Sequence, residues 1–126
     1  MPRRSITVLL AFLGCLAGVL PAVRPAAADD PPRFVAGTED LPLMPGLSEL
    51  TGSGFAFDTA NGRIVEAYAT GEVAEDEVLR FYAETLPQLG WEQASPRGFR
   101  REGERLSIDF VAGGKPITVH FSLAPE

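Results

Sequence analysis

The sequence predicts an α+β domain: a single antiparallel sheet with one helix packed on one face, in the order β-β-α-β-β-β-β. Three observations lead there. Only Glu75–Trp91 carries a helical apolar stripe, and short runs of alternating apolar and polar residues, punctuated by Gly and Pro, stand on either side of it. A helix of three to four turns is marginal alone and is stabilised by laying its apolar face on something else. The only candidate support is a sheet built from those runs.

The chain opens with a different kind of segment. Arg3 and Arg4 precede the apolar run Ile6–Leu20, and Ala26-Ala27-Ala28 stands just before Asp29. This is the basic, apolar, small-residue pattern of a signal peptide, residues 1–28, cleaved after Ala28. A retained anchor competes, since Ile6–Val23 is just long enough to span a bilayer, but Pro21, Arg24 and Pro25 with the alanine run favour removal. Lipidation at Cys15 competes as well. There Phe12-Leu13-Gly14 matches a lipobox only in part, and the apolar run continues past the cysteine to Leu20. The arginine pair resembles a twin-arginine signal, but Pro2 and Ile6-Thr7 fit it poorly, so general secretion to the periplasm or the exterior is expected.

Cleavage would remove Arg3, Arg4 and Arg24, taking the formal charge from −6 to −9, together with the sole cysteine. So acidic a chain is a poor binder of nucleic acid, whose affinity rests on basic patches, and it would not adsorb to anionic lipid by charge. Without cysteine it can form no intrachain disulfide, although export leads to an oxidising compartment.

Residues 29–50 read as an extended Pro/Gly-rich arm. Pro31, Pro32, Pro42 and Pro45 forbid a regular helix, and the run up to about Glu39 is expected to be mobile. Leu41–Leu47 is too apolar for a free linker; it is read as a strap docked on the domain edge, with a peptide-like binding element as the functional alternative. The domain proper is placed at residues 51–126. It begins with two strands, Gly54–Asp58 and Arg63–Thr70. A three-residue loop, Ala60-Asn61-Gly62, would pair Phe57 with Val65 and set Phe55 and Phe57 on the core side with Val65, Ala67 and Ala69. The small Ala67 and Ala69 would let the helix come close, and Ile64 and Tyr68 would face away.

In the helix, Val78, Leu79, Phe81, Tyr82, Leu86 and Leu89 share one face, while Glu75, Asp76 and Glu77 crowd the first turn, where the macrodipole favours carboxylates. Pro87 ends the regular helix near Leu86, and Gly90 closes it. Four strands follow: Trp91–Ala94, Phe99–Arg101, Leu106–Val111 and Ile117–Leu123. The loops Glu102-Gly103 and Gly113-Gly114 pair Phe99 with Leu106, Phe110 with Ile117, Ile108 with Val119 and Leu106 with Phe121, which sets Ser107 opposite His120.

The runs LPLMPGL, GRIVEAYATG, FYAETLPQLGW, FRREGERLSIDF and ITVHFSLAP together resemble a group of small exported bacterial proteins of unknown function. The likeness spans nearly the whole exported chain and rests on structural features: an extended Pro-Gly lead-in, a helix ending in Gly-Trp and closing hairpins. It implies a bacterial, periplasmic setting and carries over no catalytic or ligand residue.

No motif assigns a reaction. His120 and Ser122 share a strand face but lie roughly 7 Å apart at strand spacing, too far for direct proton transfer, and the polar residues around them read as a solvated face. One histidine with scattered carboxylates makes no metal site, and Gly113-Gly114-Lys115-Pro116 precedes a strand, not a helix, so it is no phosphate loop. Arg97, Arg100, Arg101 and Arg105 could hold an anion, but Glu102 and Glu104 interrupt them and favour a mixed-charge hairpin tip. Trp91, Tyr82, Phe81 and Phe99 read as core. No catalytic, cofactor or metal residue is therefore expected. The expected function is a non-enzymatic interaction module that binds an envelope protein or itself through the sheet face away from the helix, at Ile64, Tyr68 and His120. A carrier of a small apolar ligand, held between helix and sheet, is the alternative.

Overall fold

The computed structural model describes Gly18 and residues 33–126; the expectations for residues 1–28, Cys15 included, lie outside the described residues. Seven strands form one antiparallel sheet: β1 (Leu47–Glu49), β2 (Phe55–Thr59), β3 (Gly62–Gly71), β4 (Glu92–Ser95), β5 (Gly98–Arg101), β6 (Glu104–Ala112) and β7 (Ile117–Pro125). The helix α1 (Glu75–Thr85) follows β3, so the α+β class holds, and the element order gains one strand at its start. That strand, β1, comes from the stretch expected to be an arm. Across the sheet the order is β1-β3-β7-β6-β5-β4, with β2 also paired to β3. β1 bonds the C-terminal end of β3 and β2 its N-terminal half, so the two lie in line along one edge. Among the described residues no helix is long and apolar enough to cross a membrane.

The helix forms where its stripe predicts. Three acids occupy its first turn, and Val78 and Tyr82 are its buried residues. Pro87 cannot donate to the previous turn, so the chain tightens into a 3-10 helix over Leu86–Leu89. Gly90 then takes a left-handed φ of 89°, and its N–H reaches the Leu86 and Pro87 carbonyls. Leu89, expected on the buried stripe, is 42 % exposed because it lies beyond the last α-helical turn.

The core lies between helix and sheet. Val65, Ala67 and Ala69 of β3, Ile117, Val119, Phe121 and Leu123 of β7, Leu106 and Ile108 of β6 and Phe99 of β5 pack with Val78, Tyr82 and Leu86. The Tyr82 and Phe121 rings meet edge to face at 5.4 Å, and all four expected core aromatics pack here, with Phe81 partly buried.

The N-terminal segment belongs to this core as well. Val35, Leu41, Leu43 and Leu47 are nearly or fully buried. Far from being mobile up to Glu39, the chain is tied from Arg33 on: Val35 N–H bonds Leu41 O and Leu43 N–H bonds Arg33 O, both at 2.8 Å. The Tyr82 hydroxyl donates to Pro42 O at 2.9 Å and accepts from Met44 N–H at 3.1 Å, which pins the strap to the helix. Its burial pushes the phenol pKa up. Gly71 makes room for the strap, since a Cβ there would fall 2.1 Å from Gly46 O.

Two registers differ from expectation. In the last hairpin Phe110 faces Val119, Ile108 faces Phe121 and Leu106 faces Leu123, so Ser107 lies opposite Ser122 and not His120. The slip is two residues. It keeps every side chain on its expected face, and apolar alternation with period two cannot tell such registers apart. A bulge between Phe110 and Ala112 takes up the odd residue. Phe99 opposite Leu106 stands as expected.

The second difference reverses a face. Thr59 pairs with Gly62 across a two-residue loop, so Phe57 faces Ile64 and not Val65. The Thr59 hydroxyl stabilises the short loop by donating to Gly62 O at 2.6 Å and accepting from Asn61 N–H at 3.3 Å. One residue fewer in the loop turns Phe55 and Phe57 away from the core, and they stand 56 % and 51 % exposed.

Candidate functional site

The sheet face away from the helix collects the expected residues. β3 presents Ile64, Glu66, Tyr68 and Thr70 there, and β7 presents Thr118, His120 and Ser122. Tyr68 and His120 lie directly opposite each other on neighbouring strands, and their rings stack with centroids 4.6 Å apart and planes 11° from parallel. Glu66, opposite Ser122, holds the group together: His120 Nε2 bonds Glu66 Oε2, and Ser122 Oγ donates to Glu66 Oε1 at 2.8 Å. Asp109 of β6 lies opposite His120 on the other side.

This arrangement differs from a nucleophilic triad in its order. A triad sets the base between nucleophile and carboxylate. Here the carboxylate lies between Ser122 and His120, so the imidazole does not receive the serine proton, and Glu66 acts as a clamp that fixes the His120 ring beneath Tyr68. Among the described residues no group of three or more His, Cys, Asp and Glu side chains is placed to hold a metal ion.

Next to the clamp the face turns apolar. Phe57 opposes Ile64 and Phe55 opposes Glu66 across the β2–β3 ladder, and the two phenyl rings stack at 5.6 Å. Tyr68, Ile64, Phe57 and Phe55 thus share a face from the middle strands out to the β2 edge. The strap does not cover it, since its apolar residues are spent in the core on the other side.

Of the other candidates Arg105 is exposed, and the remaining three arginines are paired. Arg97 bonds Glu75 and lies over the Phe110 ring at 5.1 Å, Arg100 meets Glu126 at 2.9 Å, and Arg101 bonds Asp40 while stacking on Trp91 at 4.3 Å. Asp40 also lies 3.6 Å from Arg63, which holds Glu104 at 2.9 Å. Burial raises the Asp40 pKa, but the Arg101 hydrogen bond and the charges of Arg101 and Arg63 outweigh it and hold the carboxyl below its ordinary value. These ion pairs fasten the strap to the end of the sheet. Between helix and sheet, where the alternative would seat a ligand, the facing side chains Val78, Tyr82, Leu86, Val119 and Phe121 are at most 2 % exposed.

Sequence reading placed Tyr68, His120 and Ile64 on this face, did not single out Glu66, and set Phe55 and Phe57 on the opposite face. Alternation alone sets Glu66 between Ile64 and Tyr68 on one face; its partners depend on β3 lying beside β7, which no sequence signal reports. No protein-family model matches the chain, and no curated protein or solved structure matches it.

Proposed function

We propose that the chain is an exported, periplasmic or secreted bacterial protein that works without catalysis, by binding another protein on the outer sheet face. The observation that carries this reading is the row formed by exposed Phe55 and Phe57 with half-buried Ile64 and Tyr68, beside a face otherwise lined by Glu66, Thr118, His120 and Ser122. Exposed aromatic side chains set among satisfied polar groups are the composition of interface centres, where a ring buries area and polar neighbours provide the rim. The Glu66 clamp pre-orders the Tyr68–His120 pair, which lowers the side-chain entropy lost on contact. Export is supported by the tripartite pattern of residues 1–28.

The test is Tyr68→Ala. The variant should capture less protein from envelope extract than the parent and should keep its circular dichroism. Unchanged capture, or an unfolded variant, overturns the reading, the second because it would make Tyr68 part of the core.

A further inference from the structure

The geometry points to a second copy of this chain as the partner, docked by antiparallel pairing of β2 with β2 of the other copy about a two-fold axis at Ala56. The inference rests on the outer face being a protein-binding surface and names what binds there.

The two edges of the sheet that carry no further strand among the described residues differ. β4 has four residues, carries Glu92 and is interrupted by a bulge between Gln93 and Ser95, the devices that keep edges from pairing with other chains. β2 has five residues, every one exposed; it too carries one acid, Asp58, but its register is regular, with no bulge, Lys or Pro. Among the described residues no backbone hydrogen bond reaches it from outside the sheet.

Hydrogen-bond parity then selects how a strand could add. In a two-residue hairpin the closing pair, here Thr59–Gly62, is a bonded one, and bonded pairs alternate along the ladder. Phe57 and Phe55 therefore bond β3, which leaves the N–H and C=O groups of Asp58, Ala56 and Gly54 directed at the free edge. Leu50 N–H donating to Tyr68 O at 2.8 Å agrees, since it shows the even-numbered β3 residues bonding on this side.

The sequence around Ala56 is close to a palindrome: Gly54-Phe55-Ala56-Phe57-Asp58. With the two-fold axis at Ala56, the two Ala56 residues form one bonded pair and each Gly54 bonds the other copy's Asp58, about six hydrogen bonds in all. Phe55 of each copy falls opposite the other's Phe57 in a non-bonded pair, the position where side chains approach most closely. Charge favours the same register. Asp58 meets a glycine, whereas an axis at Asp58 would set two carboxylates face to face. Two half-exposed phenyl rings offer on the order of 200 Å² per copy, and with the strand edges the total falls near or below the roughly 1,000 Å² of a stable interface. The dimer is weak and concentration-dependent.

Sedimentation of the exported chain over a concentration series tests this, with amide exchange read on the same samples. Dimer should form, and protection of the Ala56 and Asp58 amides should rise with concentration. Ala56→Pro, which removes an edge donor, should weaken dimerisation by about tenfold or more, and Phe55→Lys with Phe57→Lys should abolish it. Tyr68→Ala, on the same outer face but one strand in from the pairing edge, should weaken dimerisation by less than the double lysine variant does. A chain that stays monomeric at every concentration overturns the pairing, as does a dimer whose Ala56 and Asp58 amides gain no protection or that survives the double lysine variant. Those results leave the outer-face reading to be judged by capture with Tyr68→Ala.

Discussion

The strap from Val35 to Leu47 and the strand β2 are both short, apolar and at the margin of the fold, and they have opposite fates. The strap is rich in proline and looks like a linker, yet its Val35, Leu41, Leu43 and Leu47 lie in the core. β2 carries two phenylalanines and looks like core, yet every one of its residues is exposed. Hydrophobicity measures what burial would yield for a segment; the chain path decides whether it is buried. The strap crosses the open side of the core, and the Tyr82 hydroxyl satisfies its backbone there. β2 runs into a turn one residue shorter than the loop that would bury its rings.

Breaking the strap should cost most. Leu47→Ala, at a fully buried site, is expected to lose about 2–5 kcal/mol in urea unfolding. Tyr82→Phe leaves Pro42 O and Met44 N–H without their partner and should lose about 1–3 kcal/mol by the same measurement. Asp40 sharpens the comparison through pH. Its pKa is lower in the folded chain than its ordinary value of 3.8, so its contribution to stability is complete above that value and lost as pH falls through the folded one. Asp40→Asn should therefore flatten part of the acid limb of the melting temperature, read by thermal scans from neutral pH to below pH 3.8. The smallest effect belongs to β2: Phe57→Ala should change stability by less than about 1 kcal/mol, since half the ring is already in water.

Much of the fold was legible because its signals are local. The stripe from Val78 to Leu86, the stop at Pro87 and the left-handed Gly90 all follow from residues within a few positions of each other. So do the faces of β6 and β7, whose alternation is strict. The β6–β7 register was not legible, because a two-residue slip leaves the apolar pattern intact and only the bulge beyond Phe110 distinguishes the alternatives. The facing of Phe55 hung on one hydroxyl, Thr59, closing the turn early. Tyr68 and His120 could be assigned to the outer face from alternation, but their stacking and the Glu66 clamp depend on which strands are neighbours, a property of the whole sheet.

Amide hydrogen exchange at low protein concentration compares the two segments most directly. The Val35 and Leu43 amides, bonded to Leu41 O and Arg33 O inside the strap, should exchange only through global unfolding, whereas the Ala56 and Asp58 amides on the free edge of β2 should exchange orders of magnitude faster. Strap amides that exchange as fast as that of Ala56 would contradict the account, because the strap would then be a loose cover and not part of the core.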